Sequence, residues 1–199
     1  MQRAITHLRG ADPVLSAIID RVGSYAMTYR DPDFSTLVRS IVYQQLSGKA
    51  AATIFQRVID ACGGELTPKR ILKLRPQRLR ACGLSKQKLD YVRSLAKLTA
   101  AGKLDFKTLP KMSDEEVIAS LTQVKGVGVW TAHMFLMFAL RRENVLPVGD
   151  LGVQNAIKRA YRKRKVTPEH VEKIGKIWHP YCSVAAWYLW RSLEGPAEI

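Results

Sequence analysis

The chain has 199 residues, 47% of them hydrophobic and 25% charged, long enough for one large domain or two small lobes with a real core. Its 32 Lys and Arg against 17 Asp and Glu leave a net charge of +15 and a pI near 10.0, a surplus that calls for a polyanionic partner. No apolar run is long enough to span a bilayer and no signal peptide opens the chain, which favours nucleic acid over an anionic membrane.

Helix signals follow one another along the chain. Asp12-Pro13 supplies a cap and a first-turn proline for VLSAIIDRVGSYAM, and Asp33 opens FSTLVRSIVYQQ. Ser47 begins GKAAATIFQRVIDA, which Gly63-Gly64 stops, and Thr67-Pro68 and Pro76 open two short helices. Ser85 starts KQKLDYVRSLAKLTAA, where Leu89, Val92, Leu95 and Ala96 make an apolar stripe at helical spacing. Ser113 followed by Asp114, Glu115 and Glu116 is a helix start with acids in the first turn. Thr167-Pro168 repeats that opening, and YCSVAAWYLWRSL closes the fold. No alternating strand and no strand-hairpin signal is found, so the predicted class is all-α. There are no internal repeats and no low-complexity linkers. Gly83-Leu84-Ser85, between a short helix and a long one, is either an ordinary connection or a second backbone contact to phosphate. Cys62, Cys82 and Cys182 are odd in number and far apart, which suits small buried thiols in a reducing cytoplasm better than disulfides or a zinc site.

The segment from Leu121 to Asp150 carries the functional information. A capped helix leads to a Gly-x-Gly turn at Gly126, Val127 and Gly128, then to an apolar helix and a Pro/Gly loop ending on one carboxylate. Two helices joined by so short a turn cross at a fixed angle, and the glycines let other atoms approach the backbone. The first N–H groups of the second helix form a ready site for a phosphate. Asp150, directly before LGVQNAIKRAY, reads as a helix N-cap.

KGVGVWTA followed by LPVGD at this spacing resembles the helix-hairpin-helix, Gly/Pro-rich loop, aspartate superfamily of DNA glycosylases. From about Asp33 to Leu193 the order of segments is similar to the catalytic core of the 3-methyladenine DNA glycosylase II type, in its compact helical form without an N-terminal β-rich lobe. The resemblance implies a two-lobed helical fold with an interlobe cleft, the lobes being about 33–145 and 1–32 with 146–199. It makes Asp150 the catalytic aspartate, stabilising an oxocarbenium-like sugar and orienting or activating the attacking water.

Glycosylases of this superfamily that also nick the strand carry a lysine nucleophile where Trp130 stands, so a monofunctional enzyme without lyase activity is expected. Lys125 precedes the glycines, on the side that would face phosphate. The resemblance places Trp130 and Tyr181 in the base pocket, with Met134 and Tyr43 as further candidates, and a flat electron-rich indole suits a cationic alkylated purine. Trp178, Trp187, Tyr188 and Trp190 crowd the same region, and most of them must be core. The resemblance implies that the wedge filling the hole left by a flipped base comes from the turn Tyr43 to Ser47, matching Gln45 by register with Leu46 as runner-up, although the same turn could equally be a structural cap.

Phosphate binding is expected from the N–H groups of Gly126 and Gly128, from Lys125 and from the Thr131 hydroxyl. The resemblance further implies a possible structural monovalent cation, held by the main-chain carbonyls of Thr122, Val124 and Val127. The run Lys158, Arg159, Arg162, Lys163, Arg164 and Lys165 is either a solvated face or part of the electrostatic footprint on DNA. His133 reads as a satisfied histidine, and His7, His170 and His179 do not cluster with acids or thiols, so no catalytic metal is expected; four C-terminal iron–sulfur cysteines are also lacking.

The resulting expectation is a monomeric base excision repair enzyme that hydrolyses the N-glycosidic bond of alkylated purines in double-stranded DNA, in a nucleoid-containing cytoplasm or a nucleus. Two alternatives stay open: a glycosylase for deaminated or etheno purines, and a non-enzymatic helix-hairpin-helix DNA-binding protein.

Overall fold

The computed structural model describes residues 1–194, and every regular element among them is helical. In chain order the helices are α1 Gln2–Ala11, α2 Pro13–Val22, α3 Phe34–Tyr43, α4 Gly48–Ala61, α5 Pro68–Lys73, α6 Pro76–Ala81, α7 Lys86–Ala100, α8 Asp114–Thr122, α9 Val129–Phe138, α10 Leu151–Ala160, α11 Pro168–Gly175 and α12 Cys182–Arg191. Short 3-10 turns occupy Leu109–Lys111 and Lys176–Trp178.

The caps follow from elementary donor–acceptor chemistry, since the first turn of a helix has N–H groups with no partner in the helix. Asp33 accepts from Thr36 N–H at 2.7 Å, Ser85 from Lys88 N–H at 3.1 Å, and Ser113 with Glu116 forms a reciprocal capping box. At α11 the Thr167 N–H donates to His170 Nδ1 at 3.2 Å. Ser47 precedes α4 without a side-chain cap bond. Three boundaries differ from expectation. α1 had no cap signal, because Met1 offers no capping side chain. α2 stops at Val22, where Gly23 N–H closes onto the Ile19 carbonyl at 2.9 Å; Tyr25 then turns away to pack on Trp187, ring centroids 4.7 Å apart. α3 stops at Tyr43, and Gln44-Gln45 leave the helix.

The chain divides into two compact units, one of Arg30–Leu140 and one of Met1–Tyr29 with the segment from Arg141 onward. In the first, Leu37, Val38, Ile41 and Val42 of α3 are fully buried, as are Val92, Leu95 and Ala96 of α7, whose Leu89 is 6% exposed. Each buried valine, leucine or isoleucine here contributes roughly 1.5–3 kcal/mol through burial. Val117 and Leu121 of α8 and Ala132, Phe135 and Leu136 of α9 are buried in the same way, which fixes the helix-hairpin-helix.

The second unit joins both ends of the chain. Leu8 of α1 and Leu15, Ile18 and Ile19 of α2 are buried, as are Val153 and Ile157 of α10 and Val184 to Leu189 of α12. Its polar centre is Asp12, only 2% exposed. One oxygen caps α2, accepting from Val14 N–H at 2.9 Å and Leu15 N–H at 3.1 Å. The other accepts from Trp178 Nε1 at 2.8 Å and from the Tyr161 hydroxyl. Burial, reinforced by that carboxylate, raises the Tyr161 phenol above its ordinary range. Cys62, Cys82 and Cys182 are all buried, and burial pushes the Cys182 thiol up to about 12. Among the described residues no helix is long and apolar enough to cross a membrane.

Candidate active site

The loop after α9 is folded tightly: Val148 N–H donates to the Leu146 carbonyl and Asp150 N–H to the Pro147 carbonyl, both at 2.9 Å. This delivers Asp150 in an extended conformation to the N-cap of α10. Its Oδ1 accepts from Val153 N–H at 2.8 Å and from the indole Nε1–H of Trp190 at 2.8 Å. The residue is 8% exposed. Gln154 reaches back to the Val148 carbonyl at 2.9 Å and fixes the loop from the other side. Gly152 is required by crowding: a Cβ there would lie 2.9 Å from Trp190 Cδ1 and 3.0 Å from Asp150 Oδ1. A carboxylate oxygen that accepts from a first-turn N–H and from an indole N–H is fixed in orientation. Such a group can stabilise a cation that develops beside it.

Trp190 was one of four crowded aromatic residues in the sequence, and no local pattern marks it out. Trp178, Trp187 and Tyr188 are core, at 0%, 8% and 0% exposure, and Tyr188 donates its hydroxyl to the Gly23 carbonyl at 3.1 Å. Tyr181 is half-buried at the start of α12, edge-on to His7 with centroids 5.4 Å apart. Leu151, next to the carboxylate, is 72% exposed, and its signal was legible: it falls out of phase with the buried stripe Val153, Ala156, Ile157. The basic residues Lys158, Arg159 and Arg162 to Lys165 are exposed at the other end of α10.

The remaining candidates belong to the unit of residues 30–140. In the hairpin, Val124 and Val127 turn inward, while Lys125, Gly126 and Gly128 lie exposed. Gly126 has φ 78°, and a Cβ on it would fall 2.1 Å from the Tyr91 ring, so this position admits only glycine. Among the described residues the N–H groups of Gly126 and Gly128 have no backbone acceptor. Val129 and Trp130 then open α9 at 52% and 47% exposure, and Met134, one turn further, is half-buried. Thr131 is buried at 5%, which counts against its hydroxyl as a phosphate donor; it shares the inward face with Phe135 four residues on. His133 is half-buried, and burial lowers its pKa against a smaller opposing pull from Asp114.

Tyr43 carries the Arg39 guanidinium 3.6 Å above its ring, so one face is already covered by a cation. Gln45 stands at φ 55° at the tip of the turn after α3, and Leu46 beside it is 40% exposed. The Val124 carbonyl, one of three proposed cation ligands, accepts from Val127 N–H at 3.0 Å and keeps a second lone pair. Among the described residues no three His, Cys, Asp or Glu side chains group as metal ligands.

The profile of the HhH-GPD superfamily base excision DNA repair protein family matches residues 38–180. DNA-3-methyladenine glycosylase 1 of Schizosaccharomyces pombe is 36% identical over 96% of this chain and 87% of its own length. Among solved structures, the Schizosaccharomyces pombe 3-methyladenine DNA glycosylase in complex with abasic DNA superposes with a TM-score of 0.84 at 36% identity, covering 94% of this chain and 95% of that one. A DNA-3-methyladenine glycosidase from Bacillus halodurans gives a TM-score of 0.86 at 38% identity, covering 94% of this chain and 87% of that one. With its hairpin, loop and capping aspartate all inside the matched span, the chain belongs to the HhH-GPD superfamily of base excision DNA repair proteins.

Proposed function

We propose that the protein is a monofunctional DNA glycosylase that removes alkylated purines, of the 3-methyladenine and 7-methylguanine type, and leaves an abasic site. The observation that carries this reading is the Asp150 carboxylate, clamped on one oxygen by Val153 N–H and Trp190 Nε1–H. Methylation at N3 of adenine or N7 of guanine makes the base cationic and a good leaving group, so little general-acid assistance is needed. As the glycosidic bond lengthens, positive charge grows on the sugar, and an anion of fixed orientation stabilises that state more than the ground state. Water then adds to the sugar carbon with Asp150 orienting it or accepting its proton.

Trp130, exposed at the start of α9, offers a π-face to the cationic base and cannot form a Schiff base, which supports hydrolysis without strand cleavage. Met134 and Tyr181 would complete the base contacts, and Tyr43 is the weaker candidate because Arg39 covers it. The hairpin amides of Gly126 and Gly128, with Lys125, would take the DNA phosphate. Carbonyls of Thr122, Val124 and Val127 are hard oxygen donors suited to a monovalent cation, which would assist phosphate binding and take no part in bond breaking. Gln45 and Leu46 form the tip that would enter the vacated stack. The enzyme would work wherever the genome lies, in the nucleoid region of a cytoplasm or in a nucleus.

The direct test is release of free bases from methylated duplex DNA, with the products identified by chromatography. Asp150→Asn keeps the shape and removes the charge, and excision is expected to fall by a factor on the order of 100 or more with duplex binding retained. Parental excision by this variant would overturn the mechanism, and release of deaminated or etheno purines only would move the substrate assignment. Borohydride treatment during turnover should trap no protein–DNA adduct.

A further inference from the structure

The turn after α3 leaves that helix without an ordinary ending. Carbonyls of the last helical turn lack intrahelical partners, and α3 has neither a basic residue in its last turn nor a bond from the N–H of its C-cap Gln44; Leu46 N–H reaches only the Tyr43 carbonyl, at 3.4 Å. The partner comes from another element. Lys88, near the start of α7, donates from Nζ to the Val42 carbonyl at 2.6 Å and to the Gln44 carbonyl at 2.6 Å. The Gln44 side chain in turn donates from Nε2 to the Gly126 carbonyl in the hairpin at 2.9 Å.

Two further contacts come from the same face of α7. Tyr91, three residues after Lys88, lies against Gly126, and Ser94, three further on, accepts the Lys125 N–H at 3.3 Å. Lys88, Tyr91 and Ser94 therefore form one stripe that touches both the turn and the hairpin. The lysine is half-buried, and burial lowers its pKa, so the ammonium has given up water for these two carbonyls. What it holds in place is a tip with Gln45 at φ 55° and Leu46 at 40% exposure. Neither feature adds to stability: the first is strained for a non-glycine residue and the second leaves an apolar side chain in water.

We propose that Lys88 is a positioning residue for base extrusion, tying the 43–47 turn to the hairpin so that the inserting tip stands at a set distance from the gripped phosphate. The inference rests on the reading that Gln45 and Leu46 form the wedge. Rigid spacing matters because the tip must enter the helical stack while the hairpin holds the backbone, and a misplacement of about 1 Å costs on the order of a hundredfold in a positioned reaction. Gln44 is the second strut in the same chain of contacts.

The test uses the full-length protein and a duplex containing a tetrahydrofuran abasic analogue flanked by 2-aminopurine, whose fluorescence reports filling of the gap, beside excision from methylated DNA. Lys88→Met is expected to lower the fluorescence change and to reduce excision about ten- to a hundredfold, with undamaged-duplex binding altered only about twofold. Lys88→Arg, which can also donate to two carbonyls, should recover part of both signals. In a double-mutant cycle, adding Lys88→Met to Gln45→Ala/Leu46→Ala should cost little more than the tip substitutions alone, because both act through the same insertion.

Full additivity, or a Lys88→Met protein with parental fluorescence, overturns the proposal. If the tip substitutions themselves leave excision and fluorescence at the parental level, the wedge reading fails, and this outcome is distinct from a working wedge that ignores Lys88. Should Lys88→Met lose its helical circular dichroism, Gln44→Ala cuts the strut at the surface; reduced gap filling sustains the proposal and parental behaviour overturns it.

Discussion

Gly152→Ala adds one methyl group, and the structure gives its consequence an unusual sign. In an ordinary helix this exchange stabilises by roughly 1 kcal/mol. Here the new carbon would stand 2.9 Å from Trp190 Cδ1, 3.0 Å from Asp150 Oδ1 and 3.1 Å from Trp190 Nε1. Non-bonded carbon contacts settle near 3.5–4.0 Å, so the indole must retreat by roughly 0.6–1 Å. The hydrogen bond from Trp190 to Asp150, 2.8 Å in the parent, then stretches beyond about 3.4 Å and is lost. A hydrogen bond to a charged group contributes roughly 1.5–3 kcal/mol, which is about ten- to a hundredfold in rate if the bond serves the transition state. Single-turnover excision from a methylated duplex measures this directly, with thermal unfolding as the control. The expected result is a slowed reaction in a protein that loses roughly 0.5–2 kcal/mol of stability, the lost hydrogen bond less the gain in helix propensity. Parental excision by Gly152→Ala would refute the claim that the indole orients the carboxylate.

Other substitutions test separate parts of the account. Asp12→Ala removes the α2 cap and strands the Trp178 indole N–H and the Tyr161 hydroxyl, so urea titration should show a loss of roughly 3–5 kcal/mol. Gly126→Ala forces a side chain into φ 78° and onto the Tyr91 ring, and anisotropy with an undamaged duplex should show binding weakened by about tenfold or more. His133 has a lowered pKa in the folded protein, so the unfolded chain binds the extra proton first; stability is complete above about 6.5 and declines as pH falls below it. His133→Gln should flatten that part of the pH–stability curve, and an unchanged slope would rule out this residue as its source.

Local chemistry was readable from the residues, and long-range pairing was not. Asp12, Asp33, Ser85, Ser113 and Asp150 all bond to an N–H two or three residues ahead, a distance that sequence states directly. The stripe of α7 was legible for the same reason, since helical spacing alone brings Leu89, Val92, Leu95 and Ala96 to one face. Trp190 meets Asp150 across 40 positions and Lys88 meets Gln44 across 44, and no periodicity links either pair. Helix ends without side-chain signals were also missed, as at α1, and α3 ends earlier than its composition suggests, with its Val42 carbonyl bonded to a lysine from α7. The spacing of Thr131 to Phe135 places it on the buried face, which the expectation of a phosphate-binding hydroxyl overlooks.

Residues 30–140 form one unbroken stretch, whereas the unit that bears Asp150 is stitched from both termini, with Asp12 bonded to Tyr161 and Trp178 and Tyr188 bonded to Gly23. During synthesis α1 and α2 therefore emerge long before the helices that cover Leu8, Leu15, Ile18 and Ile19. The hairpin proposed to grip DNA can take shape on the nascent chain, but the carboxylate gains its Trp190 partner only after 40 further residues have been added. On the proposed mechanism, bond-breaking capacity follows the grip in the order of synthesis, and products that stop between residues 140 and 190 would hold the hairpin without the oriented carboxylate.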